Sequence, residues 1–191
     1  MRNGLIVVVF SLGFGLFFYP IISDFYATKE HHSVVSEYEN MMESLEKEQI
    51  EAERKKAEEH NKELKNSPIH YVDPFSESVE ETNEGNSYYN ALNIGPAIGS
   101  IEIPKINVEL PIYHGTSEET LSQGVGHLEN SSLPTGKPGT HSVLTAHRGL
   151  PSAKLFRNLD ALTIGDQFFI QTLDETYAYQ VYNIEVVLPD Q

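Results

Sequence analysis

The sequence predicts a mainly β domain, an incomplete barrel with one short helix, placed behind a transmembrane helix and a helical stalk. Three observations carry this. Gly4 to Ile22 is apolar and uncharged, residues 28–66 contain neither Gly nor Pro and are rich in Glu and Lys, and from Ile98 the hydropathy alternates with a period of two. Four segments follow: an anchor over 1–27, a charged helical segment over 28–66, a loop region over 67–97 and a partial β domain over 98–191.

At ~1.5 Å rise per residue the Gly4–Ile22 run spans about 28 Å as a helix, close to the hydrocarbon thickness of a bilayer. A cleaved signal peptide competes with this reading, but its apolar region is usually shorter and ends in a small-x-small site. The flank here is "SDFYATKE", with Phe25 two residues before Ala27, a poor cleavage site. An uncleaved span with the acidic bulk outside the cell is the expectation, although only Arg2 precedes the run to set its orientation.

Beyond the anchor, Val34, Tyr38, Met41 and Leu45 recur at helical spacing, and the stripe thins to Ile50, Ala57 and Leu64. "EKEQIEAERKKAEEHNKELK" is a charge-laced helix without sustained heptads, so a stalk is expected, with packing on the domain as a variant. The turn-rich, acidic stretch that follows contains "VDPF", which by composition is a loop with a Pro-containing turn.

Five strands are expected. "IGSIEIP" is the first; "KINVELPIY" is the second, with Pro111 in the outward phase suggesting an edge or a bulge. "SVLTA" and "DQFFIQTL" supply the third and fourth. "TYAYQVYNIEVVLP" supplies the fifth, whose apolar phase switches at Tyr182 and signals a bulge or bend. Between the third and fourth, Leu155, Phe156, Leu159 and Leu162 predict a short amphipathic helix that Ser152 could cap. The last strand runs almost to Gln191, so the domain reads as cut short.

Composition narrows the chemistry. A formal net charge of −15 opposes binding to nucleic acid, and with no cysteine there are neither disulfides nor thiolate metal sites. His31, His32, His60, His70, His114 and His127 are scattered, and no metal or other cofactor is suggested. His147 stands apart. It closes the run "HSVLTAH", sharing a strand face with His141, Val143 and Thr145, and Arg148–Gly149 turns the chain away. An imidazole on a strand-end rim can move protons at physiological pH. A lone surface histidine with no role is the plainer alternative. "SSLPTGK" has the look of a sorting signal but lacks the residue between Pro134 and Thr135, and reads as a Pro-Gly-rich loop.

"GVGHLENSSLPTGKPGTHSVLTAHRGLPSAKLFRNLDALTIGDQFFI" resembles the first half of a sortase catalytic domain, and "TAHRGLPSA" most resembles the pilus-assembling class C sortases. The upstream span and the Asp73-Pro74-Phe75 signature fit the same class. The resemblance implies a sortase β-barrel, His147 as the catalytic histidine, and Asp73, Pro74 and Phe75 as a lid. It also implies a cysteine that attacks the Thr carbonyl of an LPxTG-like signal and an arginine beside it, both expected beyond Gln191. The implied partners are pilin or surface-protein substrates and the acceptor lysine amine of a neighbouring pilin. The implied location is the Gram-positive cell membrane, with the domain outside. Lacking the nucleophile, the chain as given is expected to be inactive. Two rivals remain: a non-catalytic, membrane-tethered binding or degenerate protein, and a housekeeping cell-wall sortase.

Overall fold

The computed structural model describes residues 2–66, 87–150 and 152–187. Helix α1 (Arg2–Ser44) carries the apolar run without interruption into the charged segment, with Pro20 inside it. Its window of mean hydropathy 2.5 is wholly unburied, and its side chains from Leu5 to Ile22 stand mostly exposed. Leu45 and Glu46 break the helix, and α2 (Lys47–Asn66) follows. The helical segment expected over 28–66 is therefore present as two pieces. It lies on the β domain, burying Val35, Tyr38 and Met42 from α1 and Ile50, Ala57, His60 and Asn61 from α2. The recurring three- and four-residue steps put each set on one helix face.

After a single turn, α3 (Ser87–Asn90), the chain forms β1 (Gly99–Ile103) and β2 (Val108–His114). Helix α4 (Glu118–Gln123) precedes β3 (Val125–His127), and β4 (Leu144–Thr145), β5 (Gln167–Thr172) and β6 (Glu175–Gln180) follow. They make one mixed sheet in the order β4-β3-β2-β1-β5-β6, curled into a half-barrel. Within it β2 and β3 are parallel and the other neighbours antiparallel. Ile101 and Ile103 face Leu110 and Val108 across β1 and β2, so the predicted alternation does set the register.

Several expectations are corrected. Pro111 does not mark an edge: β2 is an inner strand, and Pro111 lies buried opposite Ser100, just before β3 joins at Ile112. The third expected strand shrinks to Leu144–Thr145. The fifth ends at Gln180, where the apolar phase switches; beyond Val181, whose N–H still bonds Asp166 O, Tyr182 and Val186 are almost fully exposed. The amphipathic helix over 155–162 is a series of tight turns ending in a 3₁₀ turn, Leu159–Ala161. Its bonds run from Arg157, Leu159, Ala161 and Leu162 to carbonyls three residues back, and Leu155 sits at φ 40°, which no α-helix accommodates. Leu155 and Phe156 are buried as the pattern requires, whereas Leu159 is exposed.

Buried polar side chains join the helices to the sheet. Tyr38 Oη donates to Ile98 O at 3.3 Å and accepts from Leu173 N at 2.7 Å, linking α1 to the start of β1 and to the β5–β6 turn. Burial pushes its phenol up to about 12. Asn61 Nδ2 donates to Leu133 O at 3.0 Å, and Asn61 Oδ1 accepts from Leu133 N at 2.7 Å. This clamp holds the Leu133-Pro134-Thr135-Gly136 stretch as a loop whose first three residues are buried. Gly136 is required there: its φ is 65°, and a Cβ would run into the Tyr177 ring.

Candidate active site

His147 stands at the rim just past β4. The chain reaches it along a path fixed by the loop after β3: Leu128 N donates to Val143 O at 3.0 Å, Ser132 N to His141 O at 2.8 Å, and Val143 N to Ser131 Oγ at 2.9 Å. Past the rim, His147 O accepts from Phe156 N at 3.1 Å, and Phe156 is buried, so the core holds both sides of the histidine. The side chain is 30% exposed. Its Nε2 is shielded from solvent and makes no hydrogen bond among the described residues. The Glu118 carboxylate lies 3.4 Å from it, within ion-pair reach but not aligned as a hydrogen bond. A buried polar atom left unbonded is costly, so this nitrogen is one whose partner is worth seeking.

Glu118 is the residue that sequence reasoning missed. Its signal was readable: Ser117 caps α4 by accepting from Thr120 N at 3.2 Å, two glutamates fill the first turn, and Gly124 ends the helix. Arg148 is an exposed rim residue paired with Asp160 at 3.1 Å. Arg157, expected as solvated surface, is exposed and donates from Nη2 to Leu150 O at 2.8 Å. Asp73, Pro74 and Phe75, the expected lid, lie outside the described residues.

Three other histidines, His60, His114 and His127, are structural in their contacts. Tyr88 is fully buried with its ring against His60, His114 and His127. Its Oη lies 2.8 Å from His127 O and 3.0 Å from His127 Nδ1, and accepts from Gly115 N at 2.9 Å. His127 Nε2 donates to Ser132 O at 2.9 Å, which fixes the neutral tautomer with its proton on Nε2. Burial pushes this imidazole down to about 4, and burial likewise lowers His60 and His114. Among the described residues no three His, Cys, Asp or Glu side chains are grouped to hold a metal ion. A cavity of about 500 Å³ lies between α2 and the 128–143 loop, lined by Glu58, Lys62, Lys65, Lys137 and His141 but not by His147.

A half-barrel whose rim presents one braced histidine defines a class that comparison with known proteins identifies. The sortase domain model matches residues 101–191. Sortase D of Bacillus subtilis is 36% identical over 96 residues, 50% of this chain and 46% of that protein. The crystal structure of sortase C1 of Streptococcus agalactiae is 41% identical with a TM-score of 0.72, covering 82% of this chain and 78% of that one. Sortase C of Streptococcus pneumoniae is 40% identical with a TM-score of 0.67, covering 78% and 72%. The chain belongs to the sortase family, with class C sortases among its structural neighbours. It spans about half the length of the curated relatives it matches first.

Proposed function

We propose that this chain is the N-terminal portion of a class C-like sortase, a cysteine transpeptidase that cleaves LPxTG-like signals and joins pilin subunits by isopeptide bonds. The observation that carries the proposal is His147: a braced rim histidine whose Nε2 makes no hydrogen bond among the described residues, inside the run "TAHRGLPSA". Two solved relatives support the substrate: the sortase C of Streptococcus pneumoniae has pilin substrate specificity, and a sortase C of group B Streptococcus is pilus-related.

In the proposed reaction a cysteine thiolate, supplied beyond Gln191, attacks the Thr carbonyl carbon. The Thr–Gly amide bond breaks, a thioester forms, and His147 gives its proton to the departing Gly amine. The lysine amine of the next pilin then attacks the thioester, passes a proton to His147 and releases the thiolate. An arginine, also beyond Gln191, would steady the developing oxyanion. Asp73, Pro74 and Phe75 are assigned to a lid over this site by the same resemblance, and α1 to the cell membrane with the β domain outside. The 191 residues hold no cysteine and so form no acyl-enzyme themselves. The second reading is a non-catalytic membrane-tethered protein.

The test is to express the protein from its complete reading frame and incubate it with an LPxTG-like peptide. Mass spectrometry should show a thioester adduct that a lysine-bearing pilin peptide discharges faster than a peptidoglycan-type amine. No adduct supports the non-catalytic reading, and preference for the wall-type amine supports the housekeeping one. Asp73→Ala or Phe75→Ala should speed labelling of the cysteine by a thiol reagent, and unchanged rates reject the lid.

A further inference from the structure

The first polar residues beyond the apolar run are bonded to the segment that follows His147. Ser23 Oγ donates to Ser152 O at 3.2 Å, Asp24 Oδ1 accepts from Lys154 N at 3.0 Å, and Asp24 Oδ2 pairs with Lys154 Nζ at 2.7 Å. The Asp24 carboxylate is 14% exposed, so this contact is a covered joint. Asp24 lies about 3 Å past Ile22 along the helix axis at ~1.5 Å per residue. The headgroup zone on each side of a bilayer is about 5–8 Å deep. If Gly4–Ile22 fills the hydrocarbon core, Ser152 and Lys154 are held at headgroup level.

What this segment presents there is unlike the rest of the chain. Arg148, Lys154 and Arg157 are exposed, and no acid lies between His147 and Asn158, although the whole chain carries −15. Each cation has one local partner (Asp160, Asp24 and Leu150 O respectively), yet the Arg148 and Lys154 side chains remain 68% and 61% exposed. A guanidinium or ammonium in this position has donors to spare for a phosphate.

We infer that residues 148–150 and 152–157 form a membrane-contact surface, whose partner is the anionic phosphate headgroups of the bilayer that holds α1. The joint at Asp24 sets the depth and the three cations set the lipid preference. The rim bearing His147 is then held beside the bilayer. The inference rests on the membrane reading of α1 and does not depend on the chemistry proposed for His147.

The 191 residues contain neither Cys nor Trp, so a single introduced cysteine gives a unique label once any cysteine encoded beyond Gln191 is replaced by serine. Asn158→Cys places a fluorophore on an exposed position next to Arg157, and Glu43→Cys places one about 30 Å further along α1 from the end of the apolar run. Both are reconstituted in vesicles carrying a nitroxide on the headgroup. Quenching at 158 should exceed that at 43 severalfold in phosphatidylglycerol vesicles and fall in phosphatidylcholine, as expected for basic residues at an anionic surface. Charge reversal by Arg148→Glu and Arg157→Glu, which leaves the Asp24 joint intact, should lower it likewise. Equal quenching at the two positions, with the protein retained through an alkaline wash, overturns the contact alone. Quenching at 158 that is indifferent to lipid charge overturns the anionic partner. Loss of the protein in the wash overturns the anchor and the contact together.

Discussion

His127 and His147 are the same side chain in opposite settings. His127 lies beneath Tyr88 with both ring nitrogens near polar partners, no exposure, and a pKa driven down to about 4 by burial. His147 sits past the end of β4, partly exposed, its backbone held on both sides and its Nε2 without a hydrogen bond among the described residues. One imidazole is spent on holding the sheet to its loops. The other is held in place by its backbone and has a nitrogen to offer. Position in the fold, not residue type, sets the two imidazoles apart.

Substitutions in the interior should cost most. Tyr88→Ala removes a fully buried ring and the hydroxyl that meets Gly115 N and His127, and should destabilise the domain by about 4 kcal/mol in chemical denaturation. A loss below about 1 kcal/mol would mean the cluster is not the keystone described.

Acidification should act on the same cluster. His127 has a folded pKa near 4 against an ordinary value of 6.5, so between those values the unfolded chain binds the extra proton. Its contribution is therefore fully present above pH ~6.5 and is lost as the pH falls toward 4, a change of about 3 kcal/mol. His60, His114 and His31, also lowered by burial, act in the same direction. His127→Gln should remove the largest part of this slope while lowering stability at neutral pH, and an unchanged slope would break the assignment.

Asn61→Ala leaves the Leu133 N–H and carbonyl without their partner and should cost about 2 kcal/mol. Arg54→Ala, which loses the pairs of a largely covered guanidinium with the half-exposed Asp174 and Glu175, should cost about 1 kcal/mol. His147→Ala should change stability by under about 0.5 kcal/mol, the smallest effect of the series. A rim histidine whose removal cost as much as Asn61 would belong with the interior after all.

What the sequence made legible was what local pattern controls. The apolar run, the Gly- and Pro-free helical stretch over 28–66, and the starts of β1, β2, β5 and β6 all follow from hydropathy period and turn residues. His147 was readable as a rim residue because an apolar run ends on it. What stayed hidden depends on distant partners. Glu53, His60 and Asn61 read as the solvated face of a charged helix, yet all three are buried, Glu53 accepting from Leu92 N and Asn61 clasping Leu133. No local pattern announces a bond to a loop so far along the chain. Strand β3 is three residues long and contains a glycine, too short for any period to register. The 155–162 segment shows the reverse error: helical spacing was present, but the left-handed Leu155 and the bond that Lys154 N donates to the Asp24 carboxylate set another path.

We propose that His147 serves proton transfer and that His127 does not. The direct test compares His147→Ala with wild type, both expressed from the complete reading frame, for thioester formation and for melting temperature. The account predicts an unchanged melting temperature and a loss of acyl transfer of about 10²–10⁴-fold. Transfer that survives in His147→Ala at the wild-type rate would contradict it.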